Sequence, residues 1–458
     1  MESHKTNLIP KSLMVSVSGV RGIIGEGLHP EIISRFASAF GTYIGSGPVI
    51  IGKDTRPSGL ILENSVIAGL VAVGTDICNI GIATTPTIQF AVKHHGMAGG
   101  VIISASHNPE NWNAIKFLGK DGILLNQQQG LDVLEIAESQ NIRYSDWQHI
   151  GKVKEYDKAV EDHIDAVINL PFISCLKIKR QKYKAVVDCI NGAGSIILPL
   201  LLKKLGCQVI EINCALSGAF THNPEPTGRS LQQLSQAVRK HKADIGFATD
   251  PDGDRLAVVD EKGKPWGEEY TLVAAVDYFL RKKKTAVVTN VSTTRAIEDV
   301  AQRYQCEVLR AQVGEVNVIQ KMIAINSLIG GEGNGGVIVS DLHYGRDSVV
   351  GILFVLQSLT EQQITASKLR SSFPNYHIIK EKIEVDTIFF PKIIQILEKS
   401  ITGYPIDYTD GLKILGPDWW VHLRKSNTEP IVRLIVEAKT IKKAEALKNE
   451  YLQIVRNC

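Results

Sequence analysis

Asp250, Asp252 and Asp254 stand at alternate positions in the run Asp250-Pro-Asp-Gly-Asp-Arg255, directly after the strand-like stretch Asp244–Thr249. Pro251 and Gly253 open the run into a loop, so three carboxylates can converge on one hard cation such as Mg²⁺. At neutral pH they repel one another, and a bound metal keeps all three ionised. A solvated acidic turn is the plain alternative. An EF-hand is the sharper rival, because Glu261 falls where that loop has its last ligand. Arg255, however, occupies the place that loop reserves for glycine, and a strand rather than a helix leads in.

A second stretch, Val101–Pro109 (VIISASHNP), reads as a buried strand end breaking into small and turn-forming residues. Such an end presents a side chain at the carboxyl edge of a sheet, where α/β enzymes place their chemistry. Ser106 is the candidate nucleophile there, with an ordinary turn serine beside Asn108-Pro109 as the alternative. Gly331-x-Gly333-x-x-Gly336 has the spacing of a dinucleotide loop but not its context, since Val337–Ser340 reads as a strand where a helix is required. What it offers is Glu332 and Asn334 on a flexible backbone, suited to vicinal sugar hydroxyls. Near the end, Arg424, Ser426, Asn427 and Thr428 follow a strand, with Arg433 on the next one. A guanidinium, hydroxyls and turn amides make an anion cradle, phosphate foremost; a capped turn with a surface arginine is the bland reading.

These loops need a scaffold, and the chain supplies strands alternating with helices. Val49–Gly52, Asp76–Ile80 and the strand before Ser106 fall in a first α/β unit. Glu155–Leu170 reads as an amphipathic helix opening a second unit, with strands Ala185–Cys189, Val209–Ile212 and Asp244–Thr249. Ala286–Thr289 and Glu307–Arg310 belong to a third. The recurring strand, small-polar loop and helix predict three similar mixed α/β domains with largely parallel sheets. Strands His377–Val385, Gly411–Leu415, Trp419–Arg424 and Pro430–Ala438 then form a C-terminal α+β domain. The expected boundaries are 1–153, 154–258, 259–368 and 369–458.

The 458 residues exceed a single core. A formal net charge of +3 argues against a nucleic-acid partner while leaving room for local phosphate pockets. Seven scattered cysteines without a C-x-x-C pair read as reduced thiols in a cytoplasmic protein. The polar N-terminus is no signal peptide, and no apolar run has the ~20 residues of a membrane span. A monomer or homodimer is expected.

Taken together, the four stretches resemble the α-D-phosphohexomutases, the family of phosphoglucomutase, phosphomannomutase and phosphoglucosamine mutase. The resemblance covers essentially the whole chain, and the motifs occur in the family's order. It implies that Ser106 is the phosphoserine and that Asp250, Asp252 and Asp254 bind Mg²⁺ together with the phosphoryl group on Ser106. It implies further that Lys116 is a general acid/base with His107 as the alternative, and that Arg21 and Arg255 line the catalytic centre. Glu332 and Asn334 would hold the sugar, and Arg424, Ser426, Asn427, Thr428 and Arg433 the distal phosphate. The implied reaction interconverts hexose 6-phosphate and hexose 1-phosphate through a hexose 1,6-bisphosphate. Arg424-Lys-Ser and the acidic Glu315 after Val313-Gly favour glucosamine phosphate, with glucose and mannose phosphates as alternatives. A metal-dependent phosphatase and a non-enzymatic sugar-phosphate sensor are the rival functions. Two positions depart from the family: Gly336 stands where many members carry histidine, and Ser18-Gly-Val-Arg21 lacks an acidic or tyrosine residue before its arginine.

Overall fold

The structure, a computed structural model, describes residues 13–16, 19–139, 141–384, 390–400, 403–426 and 431–456. The chain divides into two units, Met1–Thr271 with Gly335–Lys368, and Leu272–Asn334 with Leu369–Cys458.

In the first unit, seven strands lie in the order Met14–Ser16, Gly19–Ile23, Trp112–Leu118, Gly99–Ile103, Val49–Lys53, Ile77–Ile82 and Val153–Glu155. The last four run parallel to one another. Their neighbours on the other edge pair antiparallel. Val49–Lys53 is buried over its first four residues, as an unbroken Val-Ile-Ile run covered on both faces should be. Helices Pro30–Ile44 and Gly59–Ala72 pack on the sheet, with Phe40 stacked on Phe117 at 4.4 Å between centroids. Helix Thr85–His94 starts at the cap Thr84, whose hydroxyl accepts from the Thr87 amide at 3.3 Å.

A second sheet of the same unit has the order Leu256–Asp260, Ile245–Thr249, Lys184–Asp188, Gln208–Ile212. Its Ile245–Thr249 strand is parallel to Lys184–Asp188 and antiparallel to Leu256–Asp260. Asp250–Arg255 is therefore a hairpin connection, and so is the Ser106 loop, between the antiparallel strands Gly99–Ile103 and Trp112–Leu118. These return strands depart from the strand, loop and helix pattern expected from sequence. Both are short apolar runs, and their cross-strand register rather than their composition fixes them as strands. The expected helix from Glu155 begins only at Ala159, because Val153–Glu155 adds to the edge of the first sheet.

In the second unit, Val287–Asn290 pairs in parallel with Val308–Ala311 and with Ile329–Glu332. Five antiparallel strands follow, in the order His377–Ile383, Val432–Ala438, Trp419–Lys425, Leu412–Leu415, Ile406–Asp407. They bury Trp419, Val421, Leu423 and Leu434 against helices Phe390–Ser400 and Ile441–Arg456. This is the C-terminal α+β architecture expected from the sequence pattern. Among the described residues no helix is long and apolar enough to cross a membrane.

Candidate active site

In the first unit the hairpin ends carrying Ser106 and the three aspartates meet. Ser106 is 5% exposed and its Oγ donates to Asp250 Oδ2 at 2.9 Å. Its backbone lies at φ 49°, a left-handed conformation that costs a non-glycine residue about 1 kcal/mol or more. The surrounding frame imposes it. Ser104 Oγ accepts from the Ser106 amide at 2.9 Å and donates to Asp54 Oδ2 at 2.6 Å. Arg56, ion-paired with Asp54, donates through Nη2 to the carbonyls of Ser106 at 2.7 Å and Asn108 at 2.6 Å. Arg21 adds a bond to Asn108 Oδ1 at 2.7 Å. The Ser106 loop is thus clamped from both strands that flank its hairpin.

The aspartate loop is as firmly held. Gly253 adopts φ +69°, which lets the hairpin turn inside six residues. Thr85, at the start of its helix, donates its amide to the Asp252 carbonyl at 2.8 Å and its hydroxyl to Asp252 Oδ2 at 2.9 Å. Lys116, on the return strand, places Nζ 3.1 Å from the same oxygen. Asp254 Oδ2 accepts from Arg346 Nη2 at 2.5 Å, and Arg255 Nη1 donates to Glu225 Oε1 at 2.8 Å.

Burial and the charges of Asp254 and Asp252 push Asp250 well above the usual carboxylate range. Burial acts in the same direction on Asp252, but Lys116 and the hydrogen bonds it receives hold that carboxyl well below the range. Asp252 Oδ1 is buried and has no hydrogen-bond partner among the described residues. With one donor oxygen from each of the three aspartates lying within 4.8 Å of the others, this cluster can hold a metal ion.

His107 is a poor proton acceptor here. Burial, followed by the charges of Arg255 and Arg21, pushes it down to about 2. Its Nδ1 accepts from Arg255 Nη2 at 3.1 Å and lies 3.3 Å from Ser106 Oγ. Arg21 reaches the Ser106 loop through Asn108, and Arg255 reaches it through His107. Asp54, Arg56, Ser104, Thr85 and Arg346 also belong to the site and were not among the residues expected. The polar run Lys53-Asp-Thr-Arg-Pro directly after a buried strand is the one signal that could have drawn attention to two of them. Arg346 gave none: it occupies space that exists only because residue 336 is glycine. A Cβ on Gly336 would stand 2.3 Å from Arg346 Cδ and 2.7 Å from its Cγ.

In the second unit, Glu332 Oε1 accepts from Asn290 Nδ2 at 2.8 Å and from the Gly314 amide at 3.1 Å. Asn334 Nδ2 lies 3.5 Å from Glu332 Oε2. Arg424 is 4% exposed and donates from Nε to Asp410 Oδ2 at 2.9 Å, an oxygen that also accepts from the Val313 amide at 3.1 Å. Asp410 therefore ties the candidate phosphate arginine to the loop leading to Glu315, the first residue of helix Glu315–Ala324. Arg433 sits opposite Arg424 in the sheet register and donates to Ser426 Oγ at 3.4 Å. Asn427 and Thr428 lie outside the described residues. Arg424 Nη2 is buried without a hydrogen-bond partner among the described residues, which suits an arginine awaiting an anion.

Four family models, for the three α/β/α domains and the C-terminal domain of phosphoglucomutase/phosphomannomutase, match residues 13–143, 161–263, 266–376 and 383–454. The chain is 36% identical to a phosphoglucomutase/phosphomannomutase of Thermococcus kodakarensis, covering 95% of this chain and 96% of that one. It is 34% identical to a probable phosphoglucosamine mutase of Methanopyrus kandleri, over 96% and 97% of the two chains. The fold is shared with a putative phosphomannomutase of Thermus thermophilus, with a TM-score of 0.84 at 23% identity over 98% of this chain and 100% of that one.

Proposed function

The chain belongs to the phosphoglucomutase/phosphomannomutase family, and from that premise we propose that it interconverts glucosamine 6-phosphate and glucosamine 1-phosphate through a phosphorylated Ser106. The observation that carries this reading is the hydrogen bond from Ser106 Oγ to Asp250 inside a buried three-aspartate loop. A serine so placed has its oxygen beside a carboxylate cluster whose bound metal could screen a phosphoryl group.

In the proposed cycle, phospho-Ser106 gives its phosphoryl group to the free hydroxyl of a bound sugar monophosphate. The Ser106 Oγ–phosphorus bond breaks as the bond from phosphorus to the sugar oxygen forms, leaving a 1,6-bisphosphate. Lys116 takes the hydroxyl proton and hands it to the Ser106 oxygen as that oxygen leaves. After the sugar turns over, the other phosphate passes to Ser106, and the proton returns to the sugar oxygen it leaves. Asp250, Asp252 and Asp254 would hold Mg²⁺, which when bound screens the negative phosphoryl oxygens from an incoming nucleophile. Arg21 and Arg255 add fixed positive charge on the same side. Glu332 and Asn334 would orient the sugar hydroxyls, and Arg424 the phosphate that is not reacting.

Incubation with glucosamine 1-phosphate, Mg²⁺ and a trace of the matching 1,6-bisphosphate tests the reading. Isomer formation is expected; release of inorganic phosphate would indicate a phosphatase instead, and no change would indicate a sensor. The kcat/KM for glucosamine, glucose and mannose phosphates under one set of conditions tests the sugar. Glucosamine phosphate is expected to lead, and parity with both others would return the assignment to a phosphoglucomutase/phosphomannomutase.

Because the bisphosphate must present either end to Ser106, one cradle has to accept either phosphate. Arg424→Ala is therefore expected to raise KM for both the 1-phosphate and the 6-phosphate, by on the order of tenfold or more for loss of a charged hydrogen bond. A defect confined to one substrate would mean two separate cradles.

A further inference from the structure

We infer that Arg346 sets the cation selectivity of the aspartate loop, an inference that rests on reading Asp250, Asp252 and Asp254 as a metal site. Each of the three carboxylates already has at least one oxygen engaged by a protein donor, and Asp250 has both, its Oδ1 accepting from the Arg255 amide at 3.2 Å. Asp250 Oδ2 accepts from Ser106 Oγ at 2.9 Å, and Asp252 Oδ2 from Thr85 Oγ1 at 2.9 Å and Lys116 Nζ at 3.1 Å. Asp254 Oδ2 accepts from Arg346 Nη2 at 2.5 Å. With Oδ2 committed to the Arg346 guanidinium, Asp254 is disposed to meet a cation through Oδ1 rather than through both oxygens. That suits Mg²⁺, which takes six oxygens at ~2.0–2.1 Å in near-octahedral array. It disfavours Ca²⁺, which takes ~6–8 oxygens at longer range and often both oxygens of one carboxylate.

Arg346 is built into that position. Asp347 Oδ2 stands 2.9 Å from His163 Nε2 and 3.2 Å from His343 Nε2, all three side chains being buried. Asp347 Oδ1 also caps the helix Ser348–Gln362 by accepting from the Val349 amide at 2.8 Å. Ser348 Oγ donates to the Gly253 carbonyl at 2.6 Å, which bolts the segment directly to the aspartate loop. Gly336 leaves the room the arginine side chain fills, with 2.3 Å between its would-be Cβ and Arg346 Cδ. The guanidinium therefore reaches Asp254 from a fixed base through a fitted passage, and it restrains that ligand without itself being one.

Calorimetric titration of the protein with Mg²⁺ alone and Ca²⁺ alone tests this. Removing a positive charge strengthens binding of either divalent cation equally, so the ratio of the two affinities reports the restraint on Asp254. Arg346→Ala and Arg346→Gln are expected to shift that ratio toward Ca²⁺ by about tenfold, the lower end of what loss of an outer-shell partner costs. Gly336→Ala should produce the same shift by displacing Arg346 while leaving the arginine in the chain, and it serves where an Arg346 variant fails to fold. A ratio within about twofold of the parent in both Arg346→Gln and Gly336→Ala would overturn the inference. Asp252→Asn separates the two levels of the argument. If it leaves Mg²⁺ affinity unchanged, the loop is not the metal site and the functional reading falls; if it weakens Mg²⁺ while the ratio stays fixed in the other variants, only the role of Arg346 falls.

Discussion

Ser106→Ala is expected to abolish isomerisation while leaving the fold in place. Among the described residues, no other side chain at the aspartate loop supplies a hydroxyl oxygen both aimed at Asp250 and held 5% exposed in a clamped turn. Removing a covalent nucleophile from a group that acts as a unit costs on the order of 10⁴- to 10⁶-fold in rate. The structural cost is far smaller. The variant loses one hydrogen bond, about 1 kcal/mol, and keeps the clamp of Arg56, Asp54 and Ser104, which grips the backbone of residue 106 rather than its side chain. Intact-mass measurement after incubation with glucose 1,6-bisphosphate gives a readout that does not depend on turnover. The parent chain should gain one phosphoryl group and the variant none. Full isomerase activity in the variant, or phosphate still arriving on it, would remove Ser106 from its role.

The second large effect is expected at Lys116. Lys116→Gln should lower kcat for both substrates by roughly 10²- to 10⁴-fold, the usual worth of a positioned acid/base. Its Nζ lies 3.1 Å from Asp252 Oδ2, on the strand that returns from the Ser106 loop, so it serves whichever hydroxyl is presented there. His107→Gln makes the contrast. Burial and the neighbouring arginines put that imidazole at about 2, so it is neutral throughout the range in which the protein would work. Its loss changes no protonation between neutral and mildly acidic pH, and the pH–rate profile should keep its shape. A collapse of the profile in His107→Gln with little change in Lys116→Gln would reverse the two assignments.

The two units answer different chemical needs. In the first, three guanidinium side chains, Arg21, Arg255 and Arg346, stand among three carboxylates, with Lys116 beside Asp252, a balance suited to a site that a dianionic phosphoryl group enters and leaves. In the second, Asp410 joins the candidate phosphate arginine, Arg424, to the loop at Val313 that leads to Glu315. Burial sharpens that second set. Lys413, buried over the Trp420 ring at 4.2 Å, is pushed down to about 7 by desolvation and by Arg310, while His422 falls to about 4 chiefly through burial.

Much of this was legible along the chain. Asp250, Asp252 and Asp254 announce themselves because alternate carboxylates in a Pro-Gly loop have few other uses. Ser106 stands out because apolar runs that stop at small residues mark strand ends. The three α/β units and the α+β end follow from periodicity, which depends only on neighbours a few residues apart. What the linear order could not carry is contact between distant segments. The left-handed turn at Ser106 is forced by Arg56, fifty residues earlier. His107 looks like a natural base beside a serine, and only burial, with Arg255 and Arg21 beside it, lowers its basicity. Gly336 reads in sequence as a missing side chain, yet in the folded chain it is the opening through which Arg346 reaches Asp254. Local chemistry named the groups; desolvation and close approach, which exist only once the chain has folded, set how they are placed and how basic they are.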